Sequence, residues 1–128
     1  YAYRGPMTVT ISDNEIANGS DGIYCRSDVD SSSQKGDITA LISGNEIHHN
    51  SGRGIRCYAH QYYSKIYPEI RANRIYSNGG DGISCGMDSV PSSYGLRMTP
   101  VITLNTVIDN AGRGIFCRAT AAADIFYN

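Results

Sequence analysis

NEIHHNSGRGIRC, residues 45–57, is the stretch whose reading decides the fold. Upstream the same pattern returns as NEIANGSDGIYC ending at Cys25, and downstream as NRIYSNGGDGISC ending at Cys85 and NTVIDNAGRGIFC ending at Cys117. The four cysteines are separated by 32, 28 and 32 residues, and a fifth copy opens with Ile125 and Asn128. Self-similarity at a period of about 20–50 residues is the signature of a stacked repeat architecture.

The asparagines sharpen the pattern. They are assigned to two repeat positions, Asn14, Asn45, Asn73, Asn105 and Asn128 in one and Asn18, Asn50, Asn78 and Asn110 in the other. Asn tolerates left-handed backbone and bonds its own turn, which suits a sharp corner in every unit, and stacked copies can bond one another as an amide ladder. Glycine recurs as Gly22, Gly54, Gly82 and Gly114, each just before an isoleucine. Apolar residues alternate with period two, as in Val9 and Ile11 or Ile23 and Cys25, so each unit offers three short strands. Three strands per unit, joined by corners and repeated in parallel, describe one coil of a β-helix. The expected fold is a single all-β domain over residues 1–128, a right-handed parallel β-helix of about four to five coils with three parallel sheets.

This Asn-x-Ile, Asn, Gly-Ile pattern, from about Val9 to Asn128, resembles the right-handed parallel β-helix repeats of pectin-lyase-like proteins and is similar to those of alginate epimerases and polysaccharide lyases. The resemblance implies an extracellular or periplasmic setting and a working surface on an exposed parallel sheet. It does not imply one activity, since that fold carries several. The Asp-Pro-His run of the epimerase and lyase branches is absent from this chain.

Composition sets outer limits. With 128 residues, 41% hydrophobic and 18% charged, the chain is long and apolar enough for one folded domain. Eleven basic and 12 acidic residues leave a formal charge of −1, so there is no electrostatic footprint for nucleic acid or an anionic membrane. The longest apolar runs fall far short of the roughly 20 residues of a spanning helix. The chain starts at Tyr1 close to a strand pattern and stops on a corner Asn, so it is expected to be part of a longer solenoid or to associate through its open ends.

Cys25, Cys57, Cys85 and Cys117 share one strand position and point inward. Stacked at about 4.8 Å, their Cβ atoms lie farther apart than the roughly 3.5–4.5 Å of a disulfide, so they are expected as a buried thiol column without a metal. Asp21, Arg53, Asp81 and Arg113 alternate in sign at one position and are expected to form a cross-coil salt-bridge ladder, with Glu46 and Arg74 as a further pair. The adjacent His48 and His49 are expected to face opposite sides as surface decoration. Asn18-Gly19-Ser20 is a glycosylation sequon whose Asn, placed in a ladder, would be blocked by packing.

Function is sought on the outward positions of the Gly-Ile-x-Cys strand. Tyr24, Arg56 and Phe116, with Arg26, Tyr58 and Arg118 one step past the cysteine, form an aromatic and guanidinium patch. Aromatic faces stack on sugar rings and Arg forks match carboxylates, so the expected ligand is an acidic polysaccharide and no cofactor is called for. Asp28, His60 and Asp88 stand three residues past successive cysteines and are the candidate catalytic group of an alternative, a lyase or epimerase on uronic-acid polymers. Ca²⁺ enters only under that alternative.

Overall fold

A computed structural model describes residues 6–29, 36–61, 63–87, 95–118 and 123–128. Among them nothing is helical, and 14 short strands form three parallel sheets. The first sheet stacks β1 (Met7–Ser12), β4 (Asp37–Ser43), β7 (Lys65–Arg71), β11 (Val101–Thr103) and β14 (Asp124–Phe126), with β10 (Arg97–Met98) also on β7. The second stacks β2 (Glu15–Ala17), β5 (Glu46–His48), β8 (Arg74–Tyr76) and β12 (Thr106–Ile108). The third stacks β3 (Ile23–Asp28), β6 (Ile55–His60), β9 (Ile83–Met87) and β13 (Ile115–Cys117). Four rungs enclose about three full turns, slightly fewer than the repeat count suggests, and the fifth copy supplies only β14.

Register is uninterrupted. Arg97 faces Lys65 and Val101 faces Glu69, both at an offset of 32, so β10 and β11 are one rung broken where Pro100 lacks a ladder N–H. Isoleucine stacks on isoleucine through the core: Ile42, Ile70 and Ile102 in the first sheet, Ile47 and Ile75 in the second, Ile55 and Ile83 in the third are all fully buried. The period-two pattern inside each strand sends these side chains inward and their neighbours outward, which is why so short a chain builds a continuous core.

The corner between the first and second sheets is an amide ladder. Asn14, Asn45, Asn73 and Asn105 each donate from Nδ2 and from the backbone N to Oδ1 of the next Asn, at 2.9–3.1 Å, ending on Asn128. Each Nδ2 also reaches the carbonyl two residues before it, closing the turn. The residue ahead of each ladder Asn is left-handed: Asp13, Gly44, Ala72, Leu104 and Tyr127 have φ of 54–67°.

The second ladder corrects one expectation. It runs through Asn50, Asn78 and Asn110, with Nδ2 donating to Oδ1 of the next at 2.9 Å. Asn18 is not in it. Gly19 occupies that place and donates its N–H to Asn50 Oδ1 at 2.9 Å. The first unit is one residue shorter between its Asn and its Gly, so Asn18 aligns with His49, Ser77 and Asp109, all left-handed corner residues, and itself has φ 62°. Its side chain is exposed, so the packing objection to modifying it falls away.

Glycine before β3, β6 and β9 is explained by close approach, whereas a Cβ on Gly114, before β13, would meet only Val107 Cγ1 at 4.0 Å. A Cβ on Gly54 would lie 2.4 Å from Ile75 Cγ2 and 2.7 Å from the carbonyl of Gly82 on the next rung. Gly22 and Gly82 meet equivalent obstacles. Even alanine is excluded there.

Candidate functional site: the outer face of the third sheet

The third sheet pairs Tyr24 with Arg56 and Ser84, then Arg26 with Tyr58 and Gly86, then Asp28 with His60, with Phe116 facing Ser84 on the last rung. Inward residues of the same strands anchor this face: Cys57, Ala59, Ile83 and Cys85 are fully buried. The outward columns therefore cannot turn over, and their spacing is the strand spacing of about 4.8 Å.

Arg56 is the centre of the patch. Its guanidinium carbon lies 4.7 Å from the Tyr24 ring centroid and 5.4 Å from that of Tyr58, and its Nη1 is 3.6 Å from Asp21 Oδ2. Tyr58 stacks on His60 with centroids 6.2 Å apart and an interplanar angle of 29°. Gly86 makes room for the Tyr58 ring, since a Cβ there would meet its Cδ2 and Cε2 at 3.2 and 3.3 Å. Ser84 and Gly86 are buried, so the third rung is a low step between the side chains of β6 and those of β13. On the far side Arg113 covers Phe116, with its guanidinium carbon 3.6 Å from the ring centroid, a contact that residue spacing did not reveal. Arg118 continues the ladder through its N–H to the carbonyl of Cys85 at 2.8 Å, and its side chain is exposed.

Of the candidate catalytic group, Asp28 and His60 are direct register partners at the ends of β3 and β6. Asp28 is engaged by Arg26, whose Nη2 donates to Oδ2 at 2.9 Å. Asp88 lies outside the described residues, and β9 ends at Met87 opposite Ala59.

The charged column beside the patch behaves as a ladder with an uneven division of labour. Asp21 accepts the backbone N–H of Arg53 at 2.8 Å, and Asp81 that of Arg113 at 2.9 Å. Arg113 also donates from Nε and Nη2 to the two Asp81 oxygens at 3.2 and 3.1 Å. Burial alone would raise the Asp81 carboxyl, but the bonds from the Arg113 side chain and backbone and the charges of Arg113 and Arg53 outweigh it and hold it below the usual aspartate value. Glu46 and Arg74 pair as expected at 2.8 Å, and Tyr76 donates to the same carboxylate oxygen. The hydrogen bond from Tyr76 is the largest influence drawing the Glu46 carboxyl down, and that same bond draws the Tyr76 phenol up.

The cysteines superpose as expected, Cys25 on Cys57 on Cys85 on Cys117, and all four are free thiols. Hydrogen bonding to Cys25 and Cys85, with burial, pushes the Cys57 thiol well up.

Along its length this stack of parallel rungs matches the family model of the right handed beta helix region, over residues 3–128. The chain belongs to the right-handed β-helix family. This β-helix has no significant match among curated proteins and none among solved structures.

Proposed function

We propose that this β-helix is a non-catalytic binding surface for an acidic polysaccharide, with Tyr24, Arg26, Arg56, Tyr58, Phe116 and Arg118 as the contacts. The observation that carries the reading is Arg56 held between Tyr24 and Tyr58 on strands in continuous parallel register. Stacked on the rings, the Arg56 guanidinium keeps the N–H groups not turned toward Asp21 for a ligand carboxylate, while the uncovered parts of the rings offer apolar surface to a sugar. The low step at Ser84 and Gly86 leaves room for a chain lying across the rungs. Such a ligand suits an extracellular or periplasmic protein, and the reading involves neither nucleic acid nor a membrane. Retention on immobilised polygalacturonate or alginate tests it. Tyr58→Ala is expected to weaken retention about tenfold with the circular dichroism unchanged, a loss of the size an aromatic contact contributes. Unchanged retention would overturn the assignment.

The register partnership of Asp28 and His60 favours a second reading, a lyase or epimerase acting on uronic-acid polymers. Its signature is absorbance from unsaturated products on incubation with those polymers, abolished by His60→Ala. Ca²⁺ dependence belongs to that reading alone.

A further inference from the structure

The second sheet carries a different chemistry at its edge with the following corner. His48, at the end of β5, is packed flat against Tyr76 of the next rung, centroids 4.9 Å apart and planes 19° from parallel. Its Nε2 lies 3.2 Å from Glu15 Oε1 of the previous rung. A carboxylate only accepts, so Nε2 carries the hydrogen, and in the neutral ring Nδ1 then presents a lone pair. That Nδ1 is 2.7 Å from Nδ1 of His49. Strand alternation would place neighbouring side chains on opposite faces, as expected from the sequence. His49 breaks the alternation because it is the corner residue, with φ 53°, and its ring swings back edge-on to His48 at a centroid distance of 5.0 Å.

We propose that His48 and His49 form a two-nitrogen chelate for a divalent transition-metal ion, oriented by Glu15 and Tyr76, with water in the remaining positions. A ligating imidazole whose other N–H is held by a carboxylate is the ordinary way a protein fixes ring tautomer and direction at a metal. Glu15 does this for His48. Tyr76 is itself held by its hydrogen bond to Glu46 at 2.8 Å, so the ring it stacks on has a firm support. Among the described residues no three His, Cys, Asp or Glu side chains gather about one point, so the protein supplies two ligands only.

Ligand type selects the ion. The 2.7 Å between the two nitrogens is a hydrogen-bond distance, and metal–nitrogen bonds of about 2.0–2.1 Å open it to about 2.9 Å at a right angle or about 3.3 Å at the tetrahedral angle. For two imidazoles completed by water, the Irving–Williams order favours Cu²⁺ and Ni²⁺ over Zn²⁺. Rotation of the exposed His49 ring brings the ion off the line between the nitrogens. The hydrogen shared between the rings leaves His49 Nδ1 and reappears, through water, on its Nε2, so two neutral rings bind without net proton release. Acid, which protonates imidazoles, releases the ion.

Ni²⁺ is the probe of choice, because unlike Cu²⁺ it does not oxidise thiols. Calorimetric titration of the whole chain near neutral pH is expected to give one site, with Zn²⁺ bound at least several-fold more weakly. His49→Asn, which installs the residue found at the equivalent corner as Asn18, is expected to weaken Ni²⁺ at least tenfold, and so is His48→Phe, which keeps a ring against Tyr76. Glu15→Ala is expected to cost about tenfold. On the unsubstituted protein, Ni²⁺ is expected to broaden the ring resonances of His48 and His49 before those of His60. Absence of Ni²⁺ binding, equal binding by the wild type and His49→Asn, or broadening that begins at His60 would each overturn the proposal.

Discussion

At the scale of single residues, the asparagines carry the most information because their side chains are used twice over, as donor to the rung on one side and acceptor for the rung on the other. Asn73 is buried, and its Oδ1 receives both the backbone N and the Nδ2 of Asn45 at 3.0 Å. Removing it orphans the buried backbone N–H of Asn45, at a cost of about 1–3 kcal/mol, and also breaks the bonds from its own Nδ2 to Asn105 Oδ1 and to the carbonyls of Ile42 and Arg71, whereas Asn45 Nδ2 keeps the carbonyls of Ile11 and Ser43. Asn73→Ala is accordingly expected to lower unfolding stability by about 3 kcal/mol or more, measured by denaturant titration. Asn18, outside the ladder and left-handed, behaves differently: Asn18→Gly is expected to stay within about 0.5 kcal/mol of wild type. Equal losses at the two sites would mean the one-residue offset in the first unit is wrong. The offset escaped sequence reading because an Asn one position from the ladder place looks the same in a string; the bond from Gly19 to Asn50 separates them.

Among elements, the third sheet shows how one set of strands serves packing and presentation together. Its inward column is fixed by the core, its outward columns by register, and the charged column at its entry is tied across rungs through Asp81. Because the folded Asp81 carboxyl sits below its ordinary value of 3.8, the stability it contributes is present above the ordinary carboxylate range and is lost as pH falls through the depressed folded value. Thermal unfolding of Asp81→Asn compared with wild type tests this: the difference is expected to be largest near neutrality and to shrink as pH falls from the ordinary value of 3.8 through the depressed folded one. Each exposed ion pair along the surface, such as Arg26 with Asp28, is expected to add little.

Over the whole molecule, stability comes from stacking of like upon like, with the fully buried isoleucines and the thiol column sealed by neighbouring rungs. Cys57 and Cys85 are fully buried whereas Cys25 and Cys117, on the first and last rungs of that sheet, are partly exposed. An aromatic disulfide reagent is therefore expected to modify Cys25 and Cys117 in the native protein, and to reach Cys57 and Cys85 only in denaturant; rapid reaction of all four would contradict the sealed column. Repetition along the chain was sufficient to deduce the parallel rungs, the three sheets, the first Asn ladder and the cysteine register, because a residue type recurring at one period has to occupy one place in a stack. Periodicity says nothing about corners, where φ departs from the strand region, nor about which way a long side chain leans. Hence the swing of His49 toward His48, the exclusion of Asn18 from its ladder, Arg113 lying over Phe116 and Tyr58 lying over Gly86 were settled only by tertiary structure: each depends on local backbone angles and on free volume left by a neighbouring rung, and neither is written in the spacing of residues.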